Sequence, residues 1–244
     1  MLGLGAGITN STTPDFFTPE SVAIASSLEL WSSATEGVTE VLNKVSNWSD
    51  LSSTKQFLKL ASNSAPTFDP VAASIKFEGT TNGDALVLNN ASSNPVELTL
   101  DQTDGGYTIC FIASVEGLDS GSILFGSKTN ANNAFKFYDS DIVRLTVAGS
   151  NYDFDSSGLN DDEFYSFMFV LGDGGSNNAK LYINNGLADT KTITEDFVFG
   201  MIGGNNNAPK SETEQRIKQI IIYNSEISDA DRNSLYTNYI SPSI

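Results

Sequence analysis

The sequence predicts an all-β protein, two stacked antiparallel sheets closed by a short C-terminal helix, and three observations carry that prediction. The first is the order of patterns over residues 179–222. A strand-like run, Ala179-Lys-Leu-Tyr-Ile-Asn184, meets Asn185-Gly186. A second run from Leu187 follows, then a Gly-rich passage through Met201-Ile-Gly-Gly204, then a third run from Arg216 to Ile222. Asn-Gly between two such runs signals a hairpin, because a type I′ turn needs positive φ at both central positions. The second is the coexistence of one-sided and two-sided strands. Ile142, Arg144 and Thr146 alternate with Val143, Leu145 and Val147, whereas residues 164–171 are apolar almost throughout. Alternation suits a strand with one face in water, and continuous apolarity suits one covered on both faces. The third is the abundance of Gly, Ser, Asn, Asp and Thr, the residues that punctuate many short strands.

The elements then follow in order. Residues 1–16 are Gly-, Ser- and Thr-rich with little periodicity and read as an extended arm; residues 17–244 form one domain. Thr18-Pro19-Glu20 predicts a helix start, with Thr18 as cap and proline at the first helical position. Glu29-Leu-Trp31 opens the first strand. Residues 35–73 are less regular, with Trp48 among polar residues and a turn at Ala65-Pro66-Thr67. Strands are expected near 74–78, 84–89, 107–114, 122–127, 134–138, 141–147, 164–171, 179–184, 187–193, 198–203 and 216–223. Turns at 81–83, 104–106, 119–121 and 172–175 separate them. Ser228 caps a last helix over 228–240, Asp229 and Asp231 lie in its first turn, and Leu235, Tyr236, Tyr239 and Ile240 form one apolar stripe.

Composition narrows the function. The chain has 244 residues, 39% of them hydrophobic, enough for one large β domain. Thirteen basic residues against 30 acidic ones give a net charge of −17. That charge repels a phosphate backbone and an anionic membrane, so neither nucleic acid nor membrane is an expected partner. The chain contains no histidine, which removes His-dependent triads, His-based zinc sites and imidazole proton transfer. Cys110 is alone in the apolar run 107–112, so no intrachain disulfide forms and a buried core thiol is expected. The apolar start, Met1-Leu-Gly-Leu-Gly-Ala-Gly-Ile8, is short and no Lys or Arg precedes Lys44. It predicts neither a signal peptide nor a membrane span, and so synthesis in a cytoplasm without ordinary export.

Several segments together resemble a known superfamily. Leu28-Glu-Leu-Trp31 resembles its opening strand, and Val45-Ser-Asn-Trp48-Ser-Asp50-Leu-Ser52 its V-x-x-W-x-D-x-S segment. Ala65-Pro66-Thr67, Ile75-Lys-Phe77-Glu-Gly79 and Asp84-Ala-Leu86 resemble the stretch that follows. Lys180-Leu-Tyr-Ile-Asn184-Asn-Gly186, Ile202-Gly203-Gly204, Ile217 to Tyr223 and Ile227-Ser-Asp-Ala230 resemble its closing strands and terminal helix. Over residues 17–240 the chain resembles the concanavalin A-like lectin/glucanase superfamily, in particular the laminin-G-like jelly-roll domains of structural proteins of tailed bacteriophages. Ser32-Ser33 stand where the family pattern has an aspartate after the first Trp.

The resemblance implies a jelly-roll sandwich and a non-enzymatic virion component: a capsid decoration, fibre or tail appendage assembled in the host cytoplasm. Its partners would be other virion proteins, reached through an arm bearing Leu2, Leu4, Ile8, Phe16 and Phe17, with a homo-oligomer as a further expectation. The alternative is an adhesin that binds host surface glycans. Asn133, Tyr152, Asp153, Asn205 and Asn206 are its candidate residues, drawn from the Asn-, Asp- and Gly-rich segments 130–133, 151–155 and 203–207, with Tyr152 to stack on a sugar. A glycoside hydrolase is a third reading. It needs two carboxylates across a scissile bond, and the E-x-D-x-x-E strand of the glucanase branch is not found. Asp161-Asp162-Glu163 and Glu212-Thr-Glu214 read as loop charges. No catalytic, cofactor or metal residue is assigned. Ca²⁺ stays open through Asp119, Asp153 or Asp155, although no EF-hand spacing is present. Trp31 and Trp48 are expected in the core.

Overall fold

A computed structural model describes residues 17–60, 65–79, 83–118, 120–210 and 212–244. The arm residues Leu2, Leu4, Ile8 and Phe16 lie outside them, as does Asp119. In chain order the strands are β1 (Leu28–Ser33), β2 (Val38–Val41), β3 (Lys44–Ser49), β4 (Gln56–Lys59), β5 (Thr67–Asp69), β6 (Ser74–Phe77), β7 (Leu86–Asn89), β8 (Leu98–Leu100), β9 (Tyr107–Val115), β10 (Ile123–Gly126), β11 (Ala134–Asp139), β12 (Ile142–Val147), β13 (Ser150–Asp155), β14 (Tyr165–Leu171), β15 (Ala179–Ile183), β16 (Gly186–Lys191), β17 (Phe197–Phe199), β18 (Met201–Ile202), β19 (Gly204–Asn205), β20 (Ala208–Pro209) and β21 (Gln215–Tyr223), followed by helix α1 (Asp229–Leu235).

Pairing is antiparallel throughout these strands and resolves into two layers. The front sheet runs β2-β3-β4-β7-β18-β10-β11-β12-β13. The back sheet runs β1-β21-β9-β14-β15-β16, with β6 on the first residues of β21. Strand β5 joins the layers at one edge, pairing with β6 and meeting β3 at Lys44 and Thr67. The expected all-β, two-sheet jelly-roll sandwich with a short C-terminal helix is what forms.

Two cores explain the two kinds of strand. Between the sheets, Phe111 of the back layer packs on Phe125 and Phe135 of the front layer at ring-centroid distances of 5.1 and 4.9 Å, and Phe154 meets Phe169 at 5.0 Å. Behind the back sheet a second cluster gathers Trp31, Cys110, Ile112, Met168, Val170, Ile221 and Tyr223 under Leu235 and Ile240. Because side chains alternate along a strand, β9 sends Ile109, Phe111 and Ala113 to the first core and Cys110 and Ile112 to the second. Strand β14 divides in the same way. This is why residues 107–114 and 164–171 read as apolar on both faces. Trp48 is fully buried in the first core, and Trp31 is buried in the second.

The ends of the chain cover the back sheet. Pro19–Ser21 and Ala25–Ser27 form single 3-10 turns where a longer helix was a natural reading. Ser228 caps α1, its Oγ accepting from Asp231 N at 3.1 Å. The expected 228–240 helix changes pitch, with Asp229–Leu235 α-helical and Tyr236–Ile240 a π-turn. Among the described residues no helix is long and apolar enough to cross a membrane.

Three local expectations are corrected. The hairpin turn after β15 is Asn184-Asn185, with φ of 47° and 68°, and Gly186 begins β16 opposite Ile183. Asparagine tolerates the left-handed region, so the turn sits one residue earlier than Asn-Gly suggests. Residues 151–155 belong to β13. The irregular stretch 35–73 holds β2 to β5.

Candidate functional site

The outer face of β11, β12 and β13 presents the most developed polar surface. Its registers place Lys136, Arg144 and Asp153 side by side across three strands. Arg144 donates to Asp153 through Nε (2.5 Å to Oδ1) and Nη2 (2.7 Å to Oδ2), a bidentate fork. This hydrogen bonding, with the guanidinium charge behind it, holds the Asp153 carboxyl below its ordinary range and lifts Arg144. A β-bulge interrupts β11 here: Phe137 pairs with Val143 and Asp139 with Ile142, leaving Tyr138 as the extra residue. Bulges re-aim side chains. The Tyr138 ring lies under the Arg144 guanidinium carbon at 3.4 Å, with Lys136 Nζ 5.0 Å from its centroid, and is 40% exposed. At the end of β11, Ser140 and Asp141 form one wall of a shallow groove of about 340 Å³ whose other lining residues are Leu118, Leu159, Asn160 and Asp161.

The residues expected from the sequence fall into two places. Asn133 and Asn205 flank Gly126, where a Cβ would meet Asn133 O at 2.4 Å and Asn205 Cβ at 2.9 Å. Asn206 follows in the β19–β20 turn with φ of 51°, its N donating to Ser127 O. Asn133 is 4% exposed, and its Oδ1 accepts from Val198 N (3.1 Å) and Ala148 N (3.4 Å), a loop-tying role. Asn205 is buried too; Asn206 alone of the three is exposed. Tyr152 faces inward on β13, packing against the main core while its hydroxyl donates to Glu195 Oε2 at 2.9 Å. Its ring is committed there, and the exposed aromatic is Tyr138, which the sequence reading passed over. The signal was the polar-apolar alternation of residues 134–139, which marks Lys136 and Tyr138 as outward. Asp153 alone of the expected residues belongs to the outer face.

The other acids are engaged as well. Asp155 Oδ1 accepts from Ser157 N at 2.8 Å, and Asp189 pairs with Lys191 at 2.7 Å. Glu214 pairs with Lys76 and Arg216. Asp161 Oδ1 accepts from Leu118 N, and Glu163 from the Tyr165 hydroxyl. Among the described residues no three His, Cys, Asp or Glu gather where they could hold a metal ion.

Asp50 lies beside Trp31. It is buried, and its Oδ1 accepts from Trp31 N (3.0 Å), Ser52 N (2.9 Å) and Ser52 Oγ (2.6 Å), while Oδ2 accepts from Ser53 Oγ (2.5 Å). The W-x-D-x-S segment thus fastens β1 to the turn after β3.

Comparison with known proteins defines the class. No protein-family model matches the chain and no curated protein matches it. Solved structures do. The sialidase of Trypanosoma rangeli aligns over 86% of this chain and 32% of its own, at 12% identity and a TM-score of 0.56. The receptor-binding domain of the botulinum neurotoxin C/D mosaic serotype aligns over 88% and 52%, at 15% identity and 0.55. A botulinum neurotoxin type C structure aligns over 87% and 51%, at 16% identity and 0.56. The chain therefore spans about a third to a half of the proteins it matches. At these identities the likeness is one of fold: an all-β sandwich of the lectin-like jelly-roll kind. The three carry no link to bacteriophage proteins.

Proposed function

We propose that this protein is a non-enzymatic glycan-binding jelly roll whose binding face is the outer surface of β11–β13. The observation that carries the reading is Tyr138. An aromatic ring set outward by a bulge, on a rigid sheet and among Lys136, Arg144 and Asp153, supplies a stacking surface ringed by donors and acceptors for hydroxyl groups. The matched structures lend support, since one is the sialidase in complex with sialic acid and another ties neurotoxin entry to two ganglioside molecules. A binding role also suits the acids. The carboxyls of Glu97, Asp153, Asp189 and Glu214 are held below their ordinary range, their hydrogen-bond donors and, at the last three, neighbouring cations outweighing burial. A glycosidase's proton donor needs the opposite direction. No cofactor is required by this reading. A glycan array tests it: the protein should retain a defined set of saccharides and Tyr138→Ala should lose them, whereas an unchanged profile would sink the assignment of this face.

The setting we propose is a tailed-bacteriophage particle, with the jelly roll displayed as a decoration, fibre or appendage domain and residues 1–16 as the anchoring arm. Phe17 supports this arrangement. It packs against the cluster behind the back sheet, the layer opposite Tyr138, and anchoring on that side would point the binding face outward. Deletion of residues 1–16 should abolish incorporation into particles; full incorporation of the truncated protein would refute the anchor.

A further inference from the structure

The outer face contains a pairing that folding alone does not favour. Lys136 and Arg144 stand directly opposite each other on β11 and β12, two like charges in a chain of net charge −17. Like charges opposite one another destabilise a sheet, and 30 acids were on hand to avoid it. Asp153 does not neutralise both. Its two oxygens are occupied by Arg144 Nε and Nη2, which leaves Nη1 of the same guanidinium over. Among the described residues Lys136 Nζ makes no hydrogen bond and no ion pair, and it lies 5.0 Å from the Tyr138 ring centroid. Burial and the neighbouring Arg144 press its pKa downward against the opposing pull of Asp153. Lys191, on β16 of the back sheet, pairs with Asp189, and Asp155 and Asp139 are turned to loop amides at Ser157 and Ser140.

We infer that the Lys136–Arg144 pair binds the anionic group of an acidic saccharide, a carboxylate or a sulfate, while Tyr138 stacks on the sugar ring that carries it. This rests on the glycan-binding reading and names its ligand class. Nζ of Lys136 has three donors and Arg144 Nη1 adds two more, so an oxyanion bridging β11 and β12 would meet both cations at once. The bulge sets the aromatic surface beside them.

The test uses titration calorimetry with the full chain and matched oligosaccharides: a neutral form, its uronate-bearing analogue and its sulfated analogue. The acidic forms should bind about tenfold or more tightly than the neutral one, with the preference fading as salt rises. Lys136→Gln should erase most of that preference. Asp153→Asn, which frees the guanidinium, should strengthen acidic binding, a gain that misfolding cannot imitate. The uronate and sulfate arms show which anion fits. Equal affinity for neutral and acidic forms would overturn the inference while leaving glycan binding in place. Absence of binding to all three would overturn both.

Discussion

Leu42 is held at φ 53° in the two-residue turn between β2 and β3, with Asn43 at 62°, and its side chain is 94% exposed. The left-handed region costs a branched L-residue about 1–2 kcal/mol, and nothing packs on this leucine in return. Leu42→Asn should therefore stabilise the protein by about 1 kcal/mol, seen as a higher urea midpoint at unchanged slope; a lower midpoint would mean that the leucine has a contact of its own. Glu97 shows the converse, a residue well used. Burial alone would raise its pKa, but hydrogen bonds from Ser127 Oγ (2.6 Å), Thr129 Oγ1 (2.8 Å), Thr129 N (3.1 Å) and Lys128 N (2.6 Å) outweigh it and hold the carboxyl low. A lowered folded pKa contributes stability above the ordinary glutamate range, about 4.3, and that stability is lost as pH falls through the folded value. Glu97→Gln should flatten the fall in Tm between roughly pH 5 and 3; an unchanged acid limb would show that the clamp contributes nothing.

At the scale of elements, Arg232 of α1 ties the helix to the back sheet beside the buried Leu235 and the Asn185–Asn233 bond. Arg232 is buried, its guanidinium carbon lies 3.9 Å from the Tyr182 ring centroid, and Nη1 donates to Asn185 O at 3.0 Å and also to Asn185 Oδ1. The helix thereby grips the β15–β16 turn. Arg232→Ala should cost about 2 kcal/mol and raise amide exchange over 184–187 selectively; uniform acceleration across the back sheet would argue against a local grip. Hairpin turns also show what could be read in advance. From β6 onward most strands were legible because long apolar or alternating runs lie between glycines and asparagines; the short β8, β19 and β20, and β13, were not. Strands β2 and β3 were not: four to six residues each, they meet at a turn with neither Gly nor Pro. Residues 151–155 looked like a loop because Asn and Asp dominate. Yet Tyr152 and Phe154 alternate inward, and it is this alternation that makes a strand. The site was legible only in part, since no local pattern reveals a bulge or the register that brings Lys136, Arg144 and Asp153 together.

At the scale of the molecule, the two tryptophans report on different cores, Trp48 between the sheets and Trp31 behind the back sheet. Because β9, β14 and β21 feed both cores with alternate side chains, the two cannot melt apart. Single-tryptophan proteins made by Trp31→Phe and Trp48→Phe should show coincident urea transitions; separated midpoints would mean two cooperative units.

Strand β21 lies between β1 and β9, and neither of these pairs with the other. On a translating ribosome, β1 and β9 emerge long before the strand that must join them. Until residue 223 has cleared the exit tunnel, the apolar flank of β9 has no neighbour on that side. The nascent chain is then at its most vulnerable to capture by other unfolded chains. This sandwich is therefore completed only when β21 emerges, and a cell that expresses it must shelter more than two hundred residues until then.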